Sequence, residues 1–478
     1  MASPLTQTDC LGKPRRYGDA MKALLLALAA FPTLAIAQTV DPAALRDQAL
    51  KDDTAWRIVE DLTTEVGPRL AGSESEARAR DWAVGRLKAL GFSNVRIEPF
   101  EIEGWERGIE QGEILAPYAQ PLVLTALGHS GATPAKGLTG EVVGFPSLAA
   151  LEAAPASVVA GKIVFIWHRM GPAQDGSNYR AFGPIRFKGP SVAAAKGATA
   201  IVIRSIGTNN GRVPHTGVTS WASGQRPIPA AALSVADAEQ LERLLTKGGP
   251  VRLHLLLTPR TVGKRPSGNV IAEIPGREPG AGIVLVGGHL DSWDLGTGAI
   301  DDAAGVAITA AAAHLVGRAG QPLRTIRVVW FGSEEVAAQG GDSYKAKHGS
   351  EKHVMVAESD FGADRIWQFD TKVADPNAAA VKTLENLLMP LGIVRGSNNA
   401  DAGADVEPLA AAGVPIVSLR QDGRRYFELH HTPEDTLDKV DSSQLQQNVA
   451  AWAALLSVAA NDASWPEKPV IQSKSDPK

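Results

Sequence analysis

From about residue 269 onward, short apolar runs alternate along the chain with segments of helical periodicity. Runs and helical segments follow one another at residues 283–286, 303–316, 325–331, 342–347 and 353–357. Repeated alternation of strand and helix favours parallel strands, because each crossover between parallel strands needs a long connection that a helix usually supplies. The sequence therefore predicts an α/β domain with a mostly parallel sheet flanked by helices.

Segments on either side of this region complete the predicted domain. Residues 41–62 and 74–90 have helical spacing, and residues 94–100 alternate apolar and polar side chains like a half-buried strand. Residues 445–458 form a closing helix. Between about residues 137 and 257 the sequence pattern changes to short β-rich runs separated by loops rich in Gly and Pro. This change predicts a separate inserted domain.

The length of 478 residues suggests two or three domains at roughly 100–200 residues per domain. The α/β domain is predicted to comprise residues 38–125 and 263–465, with the inserted β-rich domain at 126–262 and a polar tail at 466–478. Residues 1–20 are polar and are interpreted as a leader or a start-site artefact, outside the fold.

An export signal is predicted at residues 21–37. Met21 and Lys22 precede an apolar run over residues 23–36, which ends at the small-x-small sequence Ala35-Ile36-Ala37. A transmembrane anchor needs about 20 apolar residues, and this run is shorter and interrupted by Pro32. The mature chain is expected to begin at residue 38 without a membrane anchor, in a secreted or periplasmic location.

Charge and cysteine content restrict the chemistry of the mature chain. The net charge is −4 and the basic residues are scattered, so no nucleic-acid-binding surface is predicted and a small or peptide substrate fits better. The single cysteine, Cys10, precedes the signal, so neither disulfides nor thiolate metal sites are expected. A metal site must use His, Asp and Glu, which suit zinc, manganese or cobalt.

Acidic and imidazole side chains follow the predicted strands where each one ends. They occur at residues 288–291, 300–302, 333–335, 358–360 and 430–436. Taken singly, a histidine after a strand or a pair of acidic residues is more often structural or solvated. Together they meet at one edge of an α/β sheet, where unpaired carboxylates cost several kcal/mol each unless a cation offsets them. The pattern predicts a site for two divalent ions, with one bridging carboxylate.

Specific motifs at these positions resemble those of a known superfamily. They are Gly-Gly-His-Leu-Asp-Ser-Trp-Asp at 287–294, Gly-Ala-Ile-Asp-Asp at 298–302 and Glu-Glu at 334–335. These motifs are similar to those of the zinc aminopeptidase and glutamate carboxypeptidase superfamily. Residues 203–205, 214–217, 237–239 and 430–431 further resemble its plasma glutamate carboxypeptidase (carboxypeptidase Q) subgroup, and the likeness extends over most of residues 45–460.

The resemblance implies a role for each site residue. His289 and Asp360 hold one zinc ion, Glu335 and His431 hold a second, and Asp301 bridges the two ions. Glu334 acts as the general base, and Asp291 lies behind the His289 imidazole as a hydrogen-bond acceptor. His430 either donates a hydrogen bond to the oxyanion that forms in the tetrahedral intermediate or has only a packing role. The resemblance also implies that residues 126–262 form a protease-associated (apical) domain over the substrate cleft, that residues 67–73 form the opening loop, and that the protein is a homodimer.

Two alternatives remain open at this stage. A non-catalytic, receptor-like relative would require lost ligands, and every ligand position here holds a competent side chain. An aminopeptidase would keep the metals and bind a free amine in place of a free carboxylate, and spacing alone does not distinguish these directions. Arg180, Arg204, Arg424 and Arg425 are candidates to bind a substrate carboxylate, although each can equally be a surface charge.

Overall fold

The computed structural model describes residues 41–468. The predicted leader, the predicted signal peptide and residues 469–478 of the predicted tail lie outside the described residues.

Sixteen strands and fifteen α-helices make up the described part of the chain. The strands are β1 Ser93–Glu106, β2 Glu110–Ala116, β3 Gln120–Leu122, β4 Leu124–Ala126, β5 Leu138–Phe145, β6 Ile163–Ile166, β7 Ala200–Arg204, β8 Ala230–Leu233, β9 Arg252–Leu257, β10 Arg260–Ile274, β11 Ile283–His289, β12 Thr325–Phe331, β13 His353–Glu358, β14 Ile366–Lys372, β15 Val394–Arg395 and β16 Ile416–Gln421. The helices are α1 Pro42–Ala49, α2 Thr54–Asp61, α3 Glu74–Ala89, α4 Leu148–Ala153, α5 Ala156–Val159, α6 Ser177–Phe187, α7 Gly189–Ala195, α8 Val235–Thr246, α9 Ala304–Ala319, α10 Glu334–Ala337, α11 Gln339–His348, α12 Ala379–Leu388, α13 Glu407–Ala410, α14 Tyr426–Leu429 and α15 Ser442–Ala459.

The first sheet has eight strands in the order β1-β10-β12-β11-β13-β16-β14-β15. Its centre is parallel, since β11 pairs in parallel with β12 and β13, and β13 with β16. Towards its two sides, β10 pairs antiparallel with both β1 and β12, and β14 pairs antiparallel with β16. The predicted α/β fold is confirmed, but the sheet is mixed and the parallel arrangement holds for its centre.

Two apolar helices cover this sheet. Helices α9 and α15 pack on each other, and α9 lies against β11 and β12. The stretch Ala299–Ala319 is long and apolar enough to span a membrane by length and composition, yet 94% of its most apolar 18-residue window is buried inside the protein. Many of its residues are alanines, which let neighbouring backbones approach closely.

A second eight-stranded sheet lies wholly within residues 110–257, which we call the second-sheet region, in the order β3-β2-β9-β5-β6-β7-β8-β4. Strand β1 precedes this region and β10 follows it, and the two pair along most of their length. The chain therefore leaves the first sheet and returns to it beside its point of departure. The expected insert begins at residue 126, the last residue of β4, although β2, β3 and β4 all belong to the second sheet.

The single helix predicted over residues 41–62 is two helices, α1 and α2, and this prediction was wrong. Residues 50–53 separate them, and the Asp52 side chain accepts a hydrogen bond from the backbone N–H of Thr54 at 2.9 Å. Aspartate favours such local bonds at helix starts, so it ends one helix and begins the next despite the continuous apolar spacing.

Candidate active site

The central parallel strands deliver the expected ligands to one edge of the first sheet. His289 is the last residue of β11, Glu335 follows β12 in α10, and Asp360 lies two residues beyond β13. Because β11 pairs in parallel with both β12 and β13, their carboxyl ends meet. The turn at Ala299–Ala303 brings Asp301 to the same edge, and His431 arrives just after α14.

Asp301 lies between two pairs of side chains. Its Oδ1 is 3.0 Å from His289 Nε2, and its Oδ2 is 3.4 Å from His431 Nε2. On the first side, Asp360 Oδ1 is 3.3 Å from His289 Nε2. On the second, Glu335 Oε2 is 2.9 Å from His431 Nε2. All five side chains expected to bind metal therefore converge, with Asp301 in the middle.

The donor set fits divalent metal ions. Three overlapping groups have ligand atoms within 4.8 Å of one another: Asp301 with His430 and His431, His289 with Asp302 and Asp360, and His289 with Asp301 and Glu335. The second carboxylate oxygen of Glu335 is buried without a hydrogen-bond partner. Buried polar atoms are normally satisfied, so this oxygen points to a missing cation. Imidazole and carboxylate ligands are those that zinc accepts.

Burial and mutual repulsion shift the pKa values of the acidic groups of the site. Burial and the charge of Asp301 raise the pKa of Glu335 well above its ordinary value, and burial with Asp360 and Glu335 does the same for Glu334. Burial alone would raise the pKa of Asp301, but the adjacent His289 and His431 side chains hold it well below its ordinary value. Carboxylates this close resist ionising together, and divalent cations relieve that repulsion.

Asp291 contacts the His289 imidazole through its main chain. The Nδ1–H of His289 donates to the Asp291 carbonyl oxygen at 3.0 Å, whereas the carboxylate Oδ1 lies 3.7 Å away. That carboxylate accepts from the backbone N–H groups of Glu334 and Glu335 at 3.1 and 3.3 Å. Asp291 thus leaves His289 Nε2 free to bind metal and also anchors the glutamate pair, a second role that the sequence did not predict.

His430 stacks face to face on His431, with ring centroids 3.5 Å apart. Its Nε2 is 3.7 Å from Asp301 Oδ2, and its Nδ1 is buried without a partner. Burial and the neighbouring His431 lower the pKa of His430 well below its ordinary value. Its packing role is therefore present in the structure, and its role towards an oxyanion stays a prediction.

Two buried residues that hold the ligand-bearing loops were missed as functional residues. Arg69 is fully buried and donates to the carbonyl oxygens of Leu290, Thr297 and Gly298 at 2.5, 2.6 and 2.9 Å. Asp435 accepts from the backbone N–H groups of Ile300 and Asp301 at 2.6 and 3.2 Å. Both lie in segments noted in the sequence, at 67–73 and 430–436, but their spacing does not reveal which loop they hold.

We expect Asp435→Ala to weaken zinc binding about 10–100-fold although every ligand remains, since partners that orient metal ligands contribute effects of that size. The substitution leaves the Ile300 and Asp301 N–H groups unsatisfied and releases the Asp301 turn. Competition with a fluorescent zinc chelator measures the affinity. Asp438→Ala, an exposed aspartate three residues away, is the matched control. Equal zinc affinity in both variants would contradict a positioning role for Asp435.

A cavity of about 240 Å³ opens onto these groups. It is lined by Asp301, Glu334, Glu335, Asp360, His430 and His431, and by Tyr179, Arg186, Phe187, Val218, Phe361, Tyr426 and Phe427. The second-sheet region contributes Tyr179, Arg186 and Phe187, all from α6, and Val218. The cavity is large enough for a side chain or a small peptide next to the metal ligands.

The arginines expected to bind a substrate carboxylate are not part of this lining. They pair with surface or partly buried carboxylates instead: Arg180 with Asp401, Arg204 with Glu239, Arg424 with Asp422 and Arg425 with Asp364. These pairings match the surface-charge alternative that the sequence left open. Arg186, which the sequence did not single out, does line the cavity.

Several known proteins are similar to this chain in sequence and fold. A profile of peptidase family M28 matches residues 269–456. Carboxypeptidase Q of Mus musculus is 35% identical over 403 residues, which cover 84% of this chain and 84% of that protein. The chain belongs to peptidase family M28. The resemblance predicted from the motifs is thereby confirmed, and this M28 member is a metallopeptidase whose relatives imply zinc as the metal.

Solved structures agree with this assignment. A peptidase M28 precursor from Shewanella amazonensis superposes with a TM-score of 0.88 at 45% identity, covering 90% of this chain and 98% of that one. A zinc aminopeptidase from Bacillus subtilis gives a TM-score of 0.60 at 21% identity, covering 88% and 98%, and this likeness concerns the fold. The family and the carboxypeptidase Q relative support a metallopeptidase over the non-catalytic, receptor-like alternative.

Proposed function

We propose that this M28 peptidase is a two-zinc exopeptidase that hydrolyses dipeptides or short peptides in the manner of a carboxypeptidase. One observation carries the proposal, namely that the two oxygens of the Asp301 carboxylate face two different ligand pairs at 3.0 and 3.4 Å. A carboxylate placed in this way is suited to bridge two ions. A single-ion site would leave one of the two pairs without a function.

The arrangement supports one ligand assignment. His289 and Asp360 would hold one ion, Glu335 and His431 would hold the other, and Asp301 would contribute to both. Each imidazole presents Nε2 to the site, because Nδ1–H of His289 donates to the Asp291 carbonyl and Nδ1 of His431 lies 3.2 Å from the carbonyl oxygen of Thr216. A backbone carbonyl only accepts, so each Nδ1 carries the proton and each Nε2 is free for metal.

Glu334 is the proposed general base. Bound zinc supplies Lewis-acid polarisation of the scissile carbonyl and lowers the pKa of the attacking water. Glu334 lines the cavity beside Asp360 and is not needed as a ligand, so its carboxylate can accept the proton of that water and pass it to the leaving amine. Asp291 holds the Glu334 backbone, which fixes the position of the base relative to its ligand neighbour.

The second-sheet region is proposed to roof the substrate cleft as a protease-associated domain. Support comes from α6, whose Tyr179 and Arg186 line the same cavity as the metal ligands. Removing solvent around the reacting groups strengthens every electrostatic contact among them. A substrate small enough to fit beneath this roof is consistent with an exopeptidase.

Cleavage from the carboxyl end is the favoured direction, and the aminopeptidase direction is the rival. Carboxypeptidase Q of Mus musculus is 35% identical to this chain, whereas aminopeptidase YwaD of Bacillus subtilis is 23% identical over 435 residues. A panel of free, amino-blocked and carboxyl-blocked dipeptides, incubated with and without chelator, tests both points. Hydrolysis that survives amino-blocking and stops with chelator supports the proposal. Hydrolysis that survives only carboxyl-blocking favours the aminopeptidase, and hydrolysis that chelator leaves unchanged contradicts metal dependence.

Export is a further part of the proposal, supported by the signal-like residues 21–37. We expect protein recovered outside the cytoplasm of an expressing bacterium to begin at Gln38. Intact-mass spectrometry of that fraction is the measurement. A recovered chain that still contains Met1 or Met21 contradicts cleavage at this site.

The proposed homodimer rests on the family resemblance and is tested by sedimentation equilibrium of the same sample.

A further inference from the structure

Arg186 is a buried cation inside the catalytic cavity. It lies near the end of α6, only 2% of its surface is exposed, and its side chain lines the cavity that holds Glu334 and the metal ligands. Its guanidinium packs over the Phe187 ring at 4.6 Å and the Tyr179 ring at 5.6 Å. These rings remove water from the charge without neutralising it.

The hydrogen-bond partners of Arg186 are all neutral. Its Nη2 donates to the Tyr179 hydroxyl at 2.6 Å, and its Nη1 donates to the Thr216 carbonyl oxygen at 3.3 Å. Nη1 also lies 3.2 Å from His431 Nδ1, but that nitrogen carries a proton when Nε2 binds metal and so accepts nothing. A guanidinium has five N–H donors, and its Nε is buried here without a partner.

No carboxylate oxygen within residues 41–468 comes within 4.0 Å of the Arg186 guanidinium. Other buried arginines within residues 41–468 have carboxylate partners or several carbonyl acceptors. Arg327 pairs with Glu273 and Glu351, Arg204 pairs with Glu239, and Arg69 donates to several backbone carbonyls. A buried charge that lacks a counter-ion is costly, and such a group is retained where a ligand supplies the opposite charge.

We propose that Arg186 binds the free carboxylate of the peptide substrate. The group that enters the cavity must be a small anion, and a peptide that has one amide bond at the metal ligands carries its terminal carboxylate only a few ångströms away. Arginine is the side chain best suited to a carboxylate, because its N–H groups form paired hydrogen bonds to both oxygens. The assignment rests on the proposed exopeptidase function and supplies the specificity residue that this function requires.

The alternative roles of Arg186 differ in what they predict for an amidated substrate. A residue that stabilises the oxyanion, or one that only holds His431 and Thr216 in place, affects free and amidated dipeptides equally. A residue that binds the terminal carboxylate affects only the free dipeptide. Comparing the two substrates across variants therefore separates carboxylate binding from every role that acts through the reaction centre.

The test uses zinc-loaded full-length protein, with leucyl-alanine and leucyl-alaninamide as substrates. We expect Arg186→Met to lower kcat/KM for leucyl-alanine about 10–100-fold, the range for charge-assisted hydrogen bonds, and to leave leucyl-alaninamide nearly unchanged. Arg186→Lys should fall between wild type and Arg186→Met. Arg180→Met is the matched control, because Arg180 lies on the same helix but is exposed and pairs with Asp401. Equal losses for both substrates would overturn the proposal.

Calorimetric binding of the product analogues alanine and alaninamide to the wild-type protein keeps the test decisive if Arg186→Met fails to fold or loses zinc. Wild type is expected to bind alanine at least about 10-fold more tightly than alaninamide. Equal binding of the two overturns the assignment of Arg186. Preferential binding of alanine without hydrolysis of any dipeptide leaves the assignment standing and contradicts the proposed function instead.

Discussion

Glu334→Gln is expected to lower kcat by about 10²–10⁴-fold while both zinc ions remain bound, the usual contribution of general acid–base catalysis. Glutamine keeps the size and polarity of the side chain but cannot accept the proton of the attacking water. The backbone N–H of Glu334 still donates to Asp291, so the loop should stay in place. Because the side chain is not assigned to substrate binding, KM should change little. Steady-state kinetics and zinc analysis of one preparation measure both quantities.

The neighbouring glutamate is the matched comparison for this prediction. Glu335→Gln should lose zinc from one position, and its activity with it, because a neutral amide is a much poorer ligand than a carboxylate. Glu335 Oε2 lies 2.9 Å from the ligand atom of His431, whereas Glu334 lines the open cavity. Loss of zinc in Glu334→Gln together with full zinc content in Glu335→Gln would require the two roles to be exchanged.

Asp301→Ala is expected to remove more zinc than alanine at any other ligand position and to lower activity on the order of 10³-fold or more, since metal ions supply several kcal/mol to such reactions. Asp301 faces both ligand pairs, so its removal takes a ligand from each ion and leaves two cations without the charge between them. Elemental analysis of the five ligand variants after dialysis against a fixed zinc buffer measures the order of the losses.

Two observations control the Asp301 experiment. Asp401→Ala removes an exposed aspartate paired with Arg180 and should retain both ions. Asp301→Ala keeps the backbone N–H that donates to Asp435, so near-ultraviolet circular dichroism should show a folded protein. Full zinc content in a folded Asp301→Ala variant would refute the bridging role.

Secondary structure was predictable where one local signal dominated. Gly91 marks the end of α3 within two residues, and the apolar run at 325–331 coincides with β12. The break between α1 and α2 was missed because the hydrophobic spacing continues through Asp52, and a single side-chain bond to Thr54 overrides it. The antiparallel flanks of the first sheet were missed because strand direction depends on partners that are distant in the chain.

The convergence of the expected metal ligands could be predicted because the topology of the parallel strands largely determines where these residues lie. Residues that follow parallel strands must meet at one edge of the sheet, so the positions of His289, Glu335 and Asp360 in the sequence were enough to expect a common site. The family motifs then supplied the expected role of each side chain. Neither the topology nor the motifs could predict contacts made by main-chain atoms, such as the Asp291 carbonyl oxygen that accepts a hydrogen bond from His289.

By itself, the sequence determined the α/β class, the family and the group of candidate metal-binding side chains, because these depend on local periodicity and on residue types at fixed spacing. Only the tertiary structure decided which charged residues serve the site. Arg69 reaches the Asp301 turn across more than two hundred residues of chain, and Arg186 reaches the cavity from helix α6 of the second-sheet region. Burial and the lack of a counter-ion distinguish Arg186 from the surface arginines, and both are properties of the folded surroundings that its sequence neighbours do not encode.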